Sequence, residues 1–132
     1  MNGAWWQKNL KCLQNEDWSQ TLGYSTQPAA GFALTFATAI SFAGATAKME
    51  IRQNQLSTST LLLTLTTSSG LTFGTTTSSS GIPYAYITIA ITNAQTVLLP
   101  AGEWFYDILM TQSGAQSYIA QGIFEVGPTA TR

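Results

Sequence analysis

Pro100 and Gly102 rule out an uninterrupted helix through TVLLPAGEWFYDILM, the stretch from Thr96 to Met110. Beyond that corner the residues alternate strictly. Trp104, Tyr106, Ile108 and Met110 fall on one face, and Phe105, Asp107 and Leu109 on the other. A segment of this kind is a long strand with one side in a core. Two other stretches repeat the pattern. Ala45, Ala47, Met49 and Ile51 oppose Thr46, Lys48, Glu50 and Arg52; Ala85, Ile87, Ile89 and Ile91 oppose Tyr84, Tyr86, Thr88 and Thr92.

The rest of the chain divides into short strands and turns. Lys8 to Gln14 reads as a first strand, Asn15 to Asp17 as a polar turn, and Ser19 to Thr26 as a second strand. Two strands are expected between Gly31 and Phe42, with Gly44 marking a turn or bulge. Ser59 to Thr67 puts Leu61, Leu63 and Leu65 on one face. Gly70, Gly74 and the run TTTSSSG at 75 to 81 predict a short hairpin or exposed loop. Asn93 to Gln95 and Gln112 to Gln116 read as turns. The last strand is expected to place Tyr118, Ala120, Phe124 and Val126 on one face with Gly122 between them.

About seven or eight short strands, with no helical period of useful length, predict an all-β fold. The expected architecture is a single antiparallel β-sandwich, with a jelly roll as the alternative. The sandwich takes residues 8–132. Residues 1–7 form an N-terminal arm whose Trp5 and Trp6 either cap the core or dock on a neighbouring subunit, and docking is preferred.

Composition narrows the function. The chain contains no histidine, which removes the commonest general base and the His-dependent nucleophile pairs and metal sites. Cys12 is the single cysteine, so no intramolecular disulfide forms, consistent with folding in a reducing compartment. Glu16 and Asp17 are the only adjacent carboxylates, and they lack the further oxygen ligands of a calcium loop. Glu103, Asp107 and Glu125 show no spacing of a glycosidase pair. Five dispersed cations make no nucleic-acid footprint. Ala29 to Ala47 lacks charge over a span-like length, but its period-two phenylalanines indicate strands and not a membrane helix. The expectation is a chain that is not an enzyme, with no catalytic, cofactor or metal residues. Only 8% of residues are charged, and 20 threonines and 12 serines fill much of the difference. Such a surface suits either a solvated β-protein or one covered by protein neighbours.

Several pieces carry resemblances. Leucine, then Pro-x-Gly, then an aromatic entering a strand, as at 99–106, resembles the corner that ties the two sheets of immunoglobulin-like sandwiches. Three patches, ISFAGATAKMEIRQ (40–53), LPAGEWFYDILM (99–110) and QGIFEVGPTATR (121–132), together resemble a family of small tailed-phage virion proteins. The N-terminal domain of phage baseplate upper proteins has a similar layout. Gly44 matches the family's turn glycine, although Phe42-Ala43 stands where Leu-Thr is frequent. Ile51-Arg52 matches its Ile-Arg, and Tyr106-Asp107 its Tyr-Asp. Gly122, Phe124 and Val126 match its final strand, and Thr131-Arg132 its ending.

The resemblance implies an immunoglobulin-like structural part of the virion and no enzyme activity. The expected role is a multi-copy accessory protein of the tail, baseplate or head-to-tail region. Its expected partners are other virion subunits or further copies of itself, with no nucleic acid, membrane or cofactor. Capsid decoration is an alternative within that class. A carbohydrate-binding module is an alternative outside it, with Tyr84, Tyr86, Trp104 or Phe105 as stacking residues. A last expectation is an ion pair between Arg52 and Asp107 that fixes neighbouring strands.

Overall fold

The computed structural model describes residues 7–25, 42, 44–56, 58–77 and 83–128. Trp5, Trp6, the strands expected between Gly31 and Phe42, and the Thr131-Arg132 ending lie outside the described residues. Among the described residues eight strands form in chain order: β1 (Leu10–Leu13), β2 (Trp18–Ser25), β3 (Thr46–Arg52), β4 (Leu61–Thr66), β5 (Leu71–Thr77), β6 (Pro83–Ile91), β7 (Gly102–Gln112) and β8 (Ala115–Gly127). One helical turn, α1 (Asn93–Thr96), precedes the corner at Pro100.

The strands make two sheets, ordered β1-β8-β7-β3-β4 and β2-β6-β5. Lettered A, B, C, C′, D, E, F and G along the chain, they give B, E and D in one sheet. The other holds G, F and C with an added C′. With β1 beside β8 on the five-stranded sheet, the described strands form an all-β, two-sheet sandwich. The expected antiparallel pairing holds except at one seam, where β1 runs parallel to β8 from Leu10↔Phe124 to Leu13↔Gly127. That parallel seam extends to a bridge between Gln7 and Gln121, so the sheet includes Gln7, which the sequence assigned to the arm.

Alternation builds the core. Leu22, Leu71, Ala85, Ile87, Ile89 and Ile91 cover the inner face of the three-stranded sheet. Met49, Ile51, Tyr106, Ile108, Met110, Phe124 and Val126 face them from the five-stranded sheet. Trp18 of β2 meets Phe124 of β8 edge-on, with ring centroids 5.3 Å apart, so an aromatic pair bridges the sheets.

One local expectation is sharpened and another corrected. Residues 71–77, within the expected short hairpin or exposed loop, form β5, paired antiparallel with β6 from Leu71↔Ile89 to Thr77↔Pro83 as a hairpin would be. Gly74 does not break it, because the Tyr86 ring occupies the space that a Cβ at Gly74 would take. In β8, the register shifts opposite Ile108/Leu109, so that Ile108 pairs with Ala120 but Leu109 pairs with Tyr118. Ile119 is the inserted residue. Ile119 and Ala120 are both buried, and Tyr118 turns to the outer face, away from Ala120, Phe124 and Val126.

The corner itself is tied twice. Trp104 Nε1 donates to the Pro100 carbonyl oxygen at 2.8 Å. Tyr106 instead sends its hydroxyl to the Lys8 carbonyl oxygen at 2.7 Å, joining β7 to the lead-in of β1. Gly122, the cross-strand partner of Tyr106, leaves room for this approach. A Cβ there would lie 2.2 Å from the Lys8 carbonyl oxygen.

Glu16 and Asp17 also find backbone partners. Leu13 N–H donates to Glu16 Oε1, and Asn93 N–H donates to Asp17 Oδ1 at 2.7 Å. The fully buried Thr96 hydroxyl donates to the Glu16 carbonyl oxygen (2.8 Å) and accepts from Glu16 N–H (3.1 Å). The polar turn therefore anchors α1 to the start of the fold.

Candidate binding groove

Outward-facing positions of the five-stranded sheet are set by the same alternation. Because Tyr106, Ile108 and Met110 are buried, Phe105, Asp107 and Leu109 of β7 point outward. Because Met49 and Ile51 are buried, Lys48, Glu50 and Arg52 of β3 do so too. Register arranges them in rows. Arg52 is opposite Phe105, Glu50 opposite Asp107, and Lys48 opposite Leu109. On the far side of β7, Gln121 is opposite Asp107 and Tyr118 opposite Leu109.

Asp107 thus occupies the middle of the face with longer side chains around it. A short side chain among long ones leaves a depression. Lys48, Glu50, Arg52, Phe105, Leu109 and Tyr118 line it, with Asn54 and Gln55 contributed by the β3–β4 connection, around a cavity of about 200 Å³. A second lobe of about 260 Å³ adjoins it at Gln55, Phe105, Asp107 and Tyr118 and reaches Gln121. The two lobes make one shallow groove.

The electrostatics are uneven. Glu50 is held from both sides, by Arg52 Nη2 at 3.1 Å and Lys48 Nζ at 3.7 Å. Arg52 also donates from Nη1 to the Ser59 carbonyl oxygen at 2.7 Å. The expected Arg52–Asp107 ion pair is therefore replaced by Arg52–Glu50. The physical reason is register: Glu50 sits two residues from Arg52 on the same face of the same strand, whereas Asp107 is displaced diagonally across the ladder. Asp107 keeps a carboxylate with no hydrogen-bond donor among the described residues. Burial, and next the facing Glu50, raise its pKa above the ordinary 3.8, while Arg52 and Lys48 act in the opposite sense.

Other sequence-predicted positions lie elsewhere. Tyr106 is buried, and Trp104 is partly buried against the core at the corner, outside the groove. Tyr86 lies over Gly74 on the outer side of the three-stranded sheet. Tyr84 belongs to β6, on the same sheet. Of the proposed stacking aromatics, Phe105 alone lines the groove. Tyr118, Asn54, Gln55 and Gln121 join it without having been singled out by sequence. Glu103 faces Glu125 across the β7–β8 ladder, and Lys11 Nζ lies 3.7 Å from Glu125 Oε2. Four residues of strand put Glu103 about 13 Å from Asp107 along β7. Glu50 and Asp107 stand side by side and point the same way, not on opposite sides of a bond as glycosidase carboxylates do.

Among the described residues, no three of the Cys, Asp and Glu side chains come together as a metal site. None of the helices among them is long and apolar enough to cross a membrane. The chain matches no known protein-family model and none of the curated proteins compared with it.

The opposite sheet is chemically different. β2, β5 and β6 contain no charged residue. Ser19, Thr21, Thr72, Thr88 and Ala90 occupy outward positions, and the Thr21 and Thr88 hydroxyls lie 3.0 Å apart across the ladder. Every charged residue among those described sits on the five-stranded sheet, its lead-in or the β1–β2 turn.

Proposed function

We propose that this chain is a structural component of a tailed-phage virion, present in many copies and acting through protein–protein contacts in the tail, baseplate or head-to-tail region. The observation that carries the reading is the placement of the three family-like stretches. Their described parts fall largely on β3, β7 and β8, consecutive neighbours in one sheet; β7 and β8 form a hairpin, and β3 joins them from some fifty residues upstream.

The uncharged three-stranded sheet supports the same reading. Charge is depleted where protein interfaces have their centres. A multi-copy assembly gives such a face a neighbour to meet, and it needs neither cofactor nor catalytic group.

The test is immunogold labelling of purified particles from a host that produces this chain. Label at the tail, baseplate or neck is the expected outcome. Label over the head assigns capsid decoration instead. Absence of the chain from the particles overturns the virion reading altogether.

A further inference from the structure

We propose that the groove on the outer face of the five-stranded sheet binds a neutral pyranose sugar, packed on Phe105 and Tyr118 and hydrogen-bonded to Asp107. The inference goes beyond a role in virion architecture and rests on the outer face of the sheet rather than on the placement of its strands.

Charge selects the class of ligand. Lys48 and Arg52 both pair with Glu50, and with Asp107 counted the face holds two charges of each sign, so it has no net charge to draw an ion. An anionic ligand would also approach two carboxylates. A cationic ligand would approach Lys48 and Arg52 on the same face. A neutral ligand avoids both conflicts, and it must still donate a hydrogen bond, because Asp107 has an acceptor with no donor among the described residues. Hydroxyl groups do this.

The walls select a ring. Phe105, Leu109 and Tyr118 supply apolar surface, with Tyr118 38% exposed. The C–H face of a pyranose lies flat on such side chains while its hydroxyls point outward. Asn54, Gln55 and Gln121 ring the two lobes with amides, each able to donate and to accept, as each sugar hydroxyl does. The cavity of about 200 Å³ is smaller than pockets for drug-sized molecules, which suits a single ring, and the adjoining lobe gives room for a second.

The test is an NMR titration of the full chain with methyl α-glucoside, methyl β-galactoside and methyl α-mannoside at millimolar concentration. Glucuronic acid and lysine methyl ester serve as charged controls. At least one neutral hexoside is expected to shift the amides of 52–55, 105–109 and 118–121. Tyr118→Ala and Asp107→Ala are each expected to weaken that binding about tenfold or more, with the spectrum otherwise native. Tyr86→Ala, on the other sheet, is expected to leave it unchanged. Absence of shifts with all three hexosides overturns the proposal. So does binding that survives both groove variants, or a response to a charged control alone.

Discussion

Glu50 and Asp107 face each other as cross-strand partners on β3 and β7, two carboxylates on one sheet face. Like charges placed directly opposite destabilise a ladder by a few tenths to about 1 kcal/mol. Lys48 and Arg52 pair with Glu50, while burial, and next Glu50, hold the Asp107 pKa above its ordinary value. A carboxyl with a raised folded-state pKa binds its proton more tightly in the fold than in the unfolded chain. Its contribution to stability therefore falls as pH rises from the ordinary 3.8 through the raised value, and stays low above it. Asp107→Asn is expected to raise the melting temperature at pH 7. The advantage over wild type should shrink as pH is lowered toward the ordinary Asp range. Paired thermal melts across pH 4 to 7 check both the sign and the trend.

Tyr106 and Gly122 act together on the Lys8 carbonyl. Tyr106→Phe removes one hydrogen bond and is expected to cost about 1 kcal/mol. Gly122→Ala drives a Cβ into the same carbonyl, forces residues 7–9 away from β8 and should cost about 2 kcal/mol. Once the carbonyl has moved, the hydroxyl has nothing left to lose. The double variant is therefore expected to be less destabilised than the sum of the singles, by denaturant titration of all four proteins.

Thr96→Val keeps the shape of a fully buried side chain and removes its hydroxyl. Both backbone groups of Glu16 lose their partner at once. A loss of about 2 kcal/mol is expected, larger than for most surface threonines. Thr88→Val, on the outer face of β6, is the control and should change stability by about 0.5 kcal/mol or less.

Cys12 is buried in the parallel seam, and burial, followed by Glu16, pushes its thiol pKa up to about 11. Very little thiolate is present at neutral pH. Native protein is expected to resist a thiol-specific disulfide reagent at pH 7.5. Labelling should rise with denaturant along the same curve as the fluorescence-detected unfolding transition. Prompt labelling without denaturant would show that the seam between β1 and β8 opens on its own.

The period-two signal was strong where one face is apolar and the other polar. β3, β6 and β7 were legible for that reason, down to which residues are buried. β5 was not, because its threonines and Gly74 carry the composition of a loop. What makes it a strand is pairing with β6 and the ring of Tyr86, neither of which is a local property. The groove was half legible. Arg52 and Asp107 were picked out as outward-facing charges on neighbouring strands, yet which carboxylate meets the guanidinium depends on register across a gap of more than fifty residues. Tyr118 was assigned to the wrong face because one inserted residue, Ile119, reverses the alternation there. Glu16 and Asp17 read as a solvated turn because one end of their network is Asn93 and Thr96, some eighty positions away.

The parallel seam also fixes an order of events during synthesis. Among the described strands β1 leaves the ribosome first, and its partner β8 leaves last. Until Phe124 and Val126 are made, Leu10 and Cys12 have no ladder to join. β1 waits for its partner while more than a hundred further residues are made. Closure of the large sheet is therefore a late, long-range step, and a ribosome stalled a dozen residues short of Gly127 would hold a chain with both ends of that seam undone.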